Sequence, residues 1–222
     1  MSRTTPPPET REPISEMTTG RLSVYLRCLT YLEQAEQTTV SSQELAEKFH
    51  LNSAQIRKDL ACFGEFGTRG VGYNVSHLKQ QLVRTLGIDR KRNVLIVGAG
   101  NLGMALADYH GFNHTGFEIV ALLDIDPEKI GRASRSGIPV LPYKRLPDVV
   151  RENAVEIGVI AVTPESAQDV HDDLVDAGIL AVLNFAPVQI RTQHRVKVKT
   201  VDLRINLESL SFYLKNIEDG TF

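Results

Sequence analysis

The sequence predicts a two-module α/β chain: a small helical module closed by a glycine-rich hairpin, then a doubly wound parallel sheet, then a last helix. Three observations carry this. From Asn93 onward, strand-like apolar runs alternate with helical patterns, the order of a parallel sheet covered on both faces. Within that half, Gly98-Ala99-Gly100-Asn101-Leu102-Gly103 follows an apolar run and opens an apolar helix. The charge divides at the same place: residues 51–92 carry 8 Lys+Arg against 3 Asp+Glu, whereas 93–222 carry 12 against 17. Two modules with different partners are expected.

At 222 residues the chain is long for one average domain and short for two large ones. Its 42% hydrophobic and 23% charged residues are those of an ordinary globular protein. No apolar run approaches the ~20 residues of a membrane-spanning helix, and no signal-peptide stretch follows Met1. Two cysteines, Cys28 and Cys62, are too few for a disulfide scaffold or a four-ligand zinc site. The expectation is a cytoplasmic protein with no membrane partner.

Residues 1–20, rich in Pro, Thr and Glu, read as a disordered tail. The helical module spans 21–88. Leu22, Val24, Tyr25, Leu26, Cys28, Leu29 and Leu32 form the apolar stripe of a first helix. Ser41 and Glu44 have capping-box spacing and start a short second helix with Leu45, Ala46 and Phe49 inward. Asn52 or Ser53 caps a third, with Ile56 and Leu60 inward. Gly64, Gly67, Gly70 and Gly72 then suggest two short strands joined by a turn, and 77–86 gives one more amphipathic helix. The second module spans 89–203. Its strands are read at VLIV, EIVALLDID, IGVIAVTP and AVLNF, with a helix across 166–177. The final segment, 204–222, repeats Leu207, Leu210, Leu214 and Ile217 at helical spacing.

The glycine segment is a GxGxxG in its proper context, strand then helix. Gly98 would permit the tight turn, Gly100 would let the backbone approach a pyrophosphate, and Gly103 would let helix pack on strand. Ala99, Asn101 and Leu102 complete the loop, whose helix would offer its positive end to phosphate. Asp124, twenty-one residues after Gly103, would accept ribose hydroxyls, favouring NAD(H) over NADP(H); Lys129, Arg132 and Arg135 weaken that preference. A tight glycine turn without a ligand is the plainer alternative.

A dehydrogenase also needs an acid or base beside the nicotinamide. None of His50, His77, His110, His114, His171 and His194 sits in a recognisable pairing with Asp or Glu, and each reads as solvated. No separate substrate domain follows the sheet. A cofactor bound with nothing to react with points to sensing rather than catalysis.

In the basic module, two helices across a three-residue turn and then a glycine hairpin have the order of a winged helix-turn-helix. The second helix of the pair would enter a major groove with Ser53, Gln55, Arg57 and Lys58 near its start. Arg and Lys pair with guanine, Gln with adenine, and the cations also meet phosphate. Arg69 at the hairpin tip would enter a narrow minor groove. A dimerisation bundle with a solvated charged face is the alternative.

These two modules in this order resemble the Rex family of bacterial redox-sensing repressors. The resemblance runs from about Arg21 to the last helix and rests on QIRKDLACFGEFGTRGVGYNV, VLIVGAGNLGMALADY, LLDIDPEKIG and LNFAPV. It implies a winged-helix domain followed by a Rossmann-type sheet, with the C-terminal helix exchanged between protomers of a homodimer. It further implies that the dimer binds a two-fold inverted-repeat operator in double-stranded DNA. NADH, an effector rather than a hydride-transfer cofactor, would release it. A switch of Arg27, Tyr109 and Asp202 is implied by the resemblance alone. From the residues themselves Arg27 and Asp202 pass as surface charges and Tyr109 as half-core; where some members carry an aromatic residue after the switch aspartate, this chain has Leu203.

NAD+ carries a ring charge that NADH lacks, so an apolar pocket would select the reduced form by desolvation. Phe185, Ala186 and Pro187, with Leu203 from the partner copy, are the candidates for that pocket. Two other readings stay open: a small NAD-dependent oxidoreductase with a dimerising bundle, and a DNA-binding regulator whose glycine loop takes a CoA-type nucleotide. A helix 204–217 docked on its own domain is an equal alternative to exchange. Cys62, just after the third helix, reads as a buried, inert cysteine rather than as a thiol sensor.

Overall fold

The computed structural model describes residues 14–64, 66–68, 70–112, 115–193 and 195–221. The chain divides into two compact units, Met1–Asp89 and Arg90–Phe222, each described here by itself.

The N-terminal unit opens with α1 (Glu16–Gln34), capped by Ser15, whose hydroxyl accepts the Thr18 N–H at 3.1 Å. The helix thus begins five residues before Arg21. The expectation of disorder through Gly20 is corrected, because a serine cap starts the helix upstream of its apolar stripe. Leu22, Leu29 and Leu32 are fully buried along one face; Val24, read into the same stripe, lies off that face and is exposed, which corrects its placement. The pair β1 (Thr39–Val40) leads into α2 (Ser42–Phe49), where the capping box forms as expected: Ser41 Oγ accepts from Glu44 N at 3.0 Å and Glu44 Oε2 accepts from Ser41 N at 2.6 Å. His50, in the left-handed region at φ +53°, ends α2. Asn52 then caps α3 (Ser53–Ala61) by accepting the Gln55 N–H at 2.9 Å. The hairpin strands β2 (Gly67–Thr68) and β3 (Gly72–Asn74) precede α4 (Val75–Thr85). Arg69 falls outside the described residues.

The small sheet has the order β1-β3-β2, antiparallel throughout. The sequence reading did not find β1, a two-residue strand. It explains one glycine: Gly72 has φ +94°, and a Cβ there would lie 2.6 Å from the Val40 carbonyl oxygen. The hairpin is therefore joined to the segment that starts α2.

The second unit is a parallel sheet of order β6-β5-β4-β7-β8-β9. Its strands are β4 (Arg92–Val97), β5 (Phe117–Asp124), β6 (Val140–Pro142), β7 (Ile157–Ile160), β8 (Ala181–Asn184) and β9 (Lys197–Thr200). The helices α6 (Leu146–Glu152) and α7 (Pro164–Asp176) pack on one face, over Leu95, Val97, Ile160 and Val182. The other face, with Val94, Ile96, Ile119 and Val159, carries the short α5 (Asn101–Ala107) and Phe112. The sequence reading missed β6, α6 and β9. Of these β9 alternates lysines along a sheet edge, a pattern of polar protection that hides a strand.

The chain ends in α8 (Leu203–Glu218), which buries none of its residues. Leu203, Ile205, Leu207, Leu210, Phe212, Tyr213, Leu214 and Ile217 are each 49–67% exposed. An amphipathic helix docked on its own domain would bury that set, so the self-docked alternative is corrected for this chain. Among the described residues no helix is long and apolar enough to cross a membrane.

Candidate nucleotide and nucleic-acid sites

In an open parallel sheet a ligand crevice forms where the strand order reverses, beyond the carboxyl ends of the strands. Here that point lies between β4 and β7, and the glycine turn sits on it. Gly98 has φ +103°, and a Cβ on it would stand 2.4 Å from the Ala161 carbonyl oxygen at the end of β7. A Cβ on Gly103 would be 1.8 Å from the Gly98 carbonyl oxygen. Gly100 is different: nothing lies within 4 Å of its missing Cβ. Two glycines are thus demanded by the protein's own packing, whereas Gly100 faces open space, a cradle a side chain would fill. No side chain caps α5, which begins at Asn101 and Leu102, so its first turn is left to a ligand or water.

Asp124 ends β5 and is buried. Its Oδ2 accepts the Ala99 N–H at 2.8 Å, its Oδ1 accepts the Asp126 N–H at 2.9 Å, and Lys129 Nζ donates at 3.3 Å. Burial pushes the Asp124 carboxyl up, but the two backbone donors and Lys129 outweigh it and hold it below its ordinary value. The carboxylate remains ionised beside the glycine loop, with one lone pair left over from its three donors. Lys129 reaches Asp126 at 3.5 Å as well, whereas Arg135 is turned to Asp108 at 3.2 Å. Of the cations expected to weaken the preference for an unphosphorylated ribose, Lys129 is the one beside Asp124.

The turn after β8 was read as pocket wall. Phe185 is half-buried and lines an apolar cavity of about 210 Å³ together with Leu106, Phe112, Ile157, Val159 and Leu183. Ala186 is buried in the opposite core, and Pro187 is exposed. The residue that shapes this turn went unnoticed in the sequence. Asn184, wholly buried, accepts the Ala186 N–H at 2.9 Å and donates to the Ala186 and Val188 carbonyls at 3.0 Å each. Its place in the motif LNFAPV was the available signal.

The expectation that every histidine is solvated is corrected at His171. It is 2% exposed, with Nδ1 2.8 Å from Asp172 Oδ1 and Nε2 3.1 Å from Thr192 Oγ1. It lies on the core face of α7 with Val170 and Leu174; Nδ1 pairs with the neighbouring Asp172 on the same helix, and Nε2 ties α7 to the loop after β8. His114 and His194 fall outside the described residues.

The three residues that the resemblance assigns to a switch are described each within its own unit. Arg27 is exposed on α1. Tyr109 is exposed, edge-on to Phe112 at 5.0 Å, which corrects its half-core reading. Asp202 caps α8 and holds Arg204 by its fork, at 3.0 Å to Nε and 2.7 Å to Nη2, which keeps the carboxyl below its ordinary value.

On the N-terminal unit, α3 begins at Ser53 and exposes Arg57 and Lys58. Arg57 Nη1 donates to Ser42 Oγ at 2.9 Å, while Gln55 Nε2 donates to Asp59 Oδ1 at 2.8 Å. Cys62 is exposed, its Sγ 3.4 Å from the Lys58 carbonyl, which corrects its buried reading; Cys28 is buried, and burial pushes its thiol up.

Residues 13–61 match the model of a putative DNA-binding protein N-terminus, and 89–188 match that of a CoA binding domain. The chain is 50% identical over 202 residues to the redox-sensing transcriptional repressor Rex of Carboxydothermus hydrogenoformans, covering 91% of this chain and 97% of the relative. The chain belongs to the Rex family. The Rex repressor of Streptomyces coelicolor is 46% identical, covering 90% of this chain and 77% of its own. Among solved structures, RSP, a Rex-family repressor, superposes in its complex with β-NAD+ and operator DNA at TM-score 0.88. That match is 36% identical and covers 94% of this chain and 95% of RSP. RSP with β-NADH superposes at TM-score 0.83, with 35% identity, 94% of this chain and 97% of that one. The Rex relatives are named as transcriptional repressors, not enzymes. The oxidoreductase reading is thereby set aside, and the match to a CoA-binding model marks a shared glycine-turn fold.

Proposed function

We propose that this Rex protein binds an inverted-repeat operator as a homodimer and leaves it when NADH binds, so that transcription follows the cellular NADH/NAD+ ratio in the cytoplasm. The observation that carries it is the pairing, on one chain, of a glycine turn open at Gly100 beside ionised Asp124 with a recognition helix exposing Arg57 and Lys58.

Gly98, Ala99, Gly100, Asn101, Leu102 and Gly103 would hold the dinucleotide phosphates on backbone N–H groups, and Asp124 the ribose. The bound dinucleotide supplies a ring that is cationic when oxidised and neutral when reduced. Phe185, with Pro187 and the partner copy's Leu203, would favour the neutral ring by desolvating it. Ser53, Gln55, Arg57, Lys58 and Arg69 would meet the operator. The bare apolar α8 supports exchange between protomers, since a helix of this composition needs a partner surface. Arg27, Tyr109 and Asp202 would form the polar switch, with Asp202 leaving Arg204 to do so. Coupling is reciprocal: operator weakens NADH binding by the factor by which NADH weakens operator binding.

The test is anisotropy of a labelled inverted-repeat duplex titrated with NADH and, separately, NAD+ at fixed salt. Release by NADH where NAD+ does little is expected. Binding that neither nucleotide disturbs would move the search to another effector.

A further inference from the structure

Asp59 is a buried charge in the middle of the recognition helix, and nothing above uses it. It is 2% exposed. Its two oxygens take four donors. Oδ2 accepts Arg21 Nε at 2.6 Å and the Tyr25 hydroxyl at 2.8 Å; Oδ1 accepts Arg21 Nη2 and Gln55 Nε2, each at 2.8 Å. Arg21 and Tyr25 stand one turn apart on α1, and Gln55 one turn before Asp59 on α3. We infer that Asp59 is a positioning residue for operator recognition: it fixes the rotation of α3 against α1 and the orientation in which Gln55 meets a base edge.

The inference rests on the operator-binding reading and adds a cause of its specificity. A guanidinium fork on a carboxylate constrains direction as well as distance, and the Tyr25 hydroxyl adds a third point on the same helix. A rigid-body turn of α3 about its axis would break all three. The second effect is local. An ionised carboxylate accepts and never donates, so the atom of Gln55 facing it is Nε2 and the amide cannot flip. One amide hydrogen is committed to Asp59. The other hydrogen and Oε1 stay free for a base edge, and they form the pair that matches N7 and N6 of adenine when the hydrogen given to Asp59 is the one trans to Oε1. A glutamine ordered before it meets DNA loses less rotamer freedom on binding.

A merely stabilising ion pair would strengthen the unit without touching base preference, so the two roles separate in a selection. The full-length protein and its variants Asp59→Asn, Arg21→Lys, Gln55→Ala and Asp59→Asn/Gln55→Ala are each used to select duplexes from a randomised inverted-repeat library. Affinities for chosen duplexes are then read by anisotropy across a salt series. Gln55→Ala is expected to abolish preference at one base pair per half-site. Asp59→Asn should lower discrimination at that same pair about tenfold, with an unchanged salt slope, and should cost nothing further once Gln55 is alanine. If circular dichroism shows Asp59→Asn unfolded, Arg21→Lys carries the test. It keeps a cation opposite Asp59 but loses the fork, and a smaller loss at the same base pair is expected. Uniform weakening across all sequences, or a loss that adds to that of Gln55→Ala, would overturn the inference. So would full discrimination in a folded Arg21→Lys, or a Gln55→Ala variant with unchanged preference. A wild-type protein that selects no sequence would overturn the operator reading and this inference together.

Discussion

The Ala99 amide donates to the Asp124 carboxylate across 2.8 Å, so the glycine turn and the end of β5 are joined before any ligand arrives. One carboxylate thus orders the loop and, in the proposed function, would also accept a ribose hydroxyl. Asp124→Ala is expected to weaken NADH binding by ~1.5–3 kcal/mol, the worth of hydrogen bonds to a charged group, or about 10- to 100-fold. Calorimetric titration of both proteins with NADH measures it, and an unchanged affinity would remove Asp124 from the nucleotide site.

The three glycines of the turn should separate in a substitution series. Gly103→Ala puts a Cβ against the Gly98 carbonyl and should cost ~1–3 kcal/mol of stability by overpacking. Gly100→Ala meets nothing in the protein and should leave the melting temperature nearly unchanged while NADH binding is lost. Thermal melts beside NADH titrations of the two variants give both readings.

Leu210 and Leu214 stand one turn apart on a helix that buries nothing in its own chain. Leu210→Asp/Leu214→Asp is expected to yield a folded monomer in sedimentation velocity, and a monomer should bind an inverted repeat no better than a single half-site. A variant that stays dimeric would place the subunit interface elsewhere.

Lys58 is exposed on α3. Lys58→Ala should weaken binding evenly across sequences and reduce the slope of log affinity against log salt by about 1. A loss confined to one base pair would instead make Lys58 a reader of bases.

Acid should act on the N-terminal unit through Asp59. Burial pushes its carboxyl up, yet Arg21, Gln55 and Tyr25 together hold it below its ordinary value. A lowered folded-state value means that the contribution is complete above the unfolded carboxylate pKa of ~3.9 and is lost as pH falls through the folded value. Stability measured by urea titration from pH 6 downward should therefore fall less steeply below about pH 4 in Asp59→Asn than in the wild type. Equal slopes would show that the carboxylate is not coupled to folding.

What could be read from the sequence was what short stretches determine on their own. Ser41 and Glu44 cap a helix because they are three residues apart, and the Gly98–Gly103 turn is specified within six residues. The strand, turn and helix around it follow from apolar spacing. Asp59 and Tyr25 are 34 residues apart and Asp59 and Arg21 are 38 apart, so their clamp exists only once α1 and α3 have packed. His171 and Thr192 meet across 21 residues for the same reason. Asn184 was within reach, since its bonds close a turn of only four residues, but an asparagine between apolar neighbours shows no burial in a one-dimensional pattern. The Rex resemblance named the family, while the switch it assigns to Arg27, Tyr109 and Asp202 has no counterpart in local composition.

The uncovered helix α8 has a genetic consequence. If each copy lends its sixteen-residue helix α8 to its neighbour, a subunit cut short before Leu203 can still receive a helix but has none to return. Mixed with intact subunits, it would form pairs in which one receiving surface stays empty. Premature stop codons near the 3′ end should therefore behave as dominant alleles when co-expressed with the intact gene, whereas stops early in the sheet, which leave no surface to fill, should be recessive.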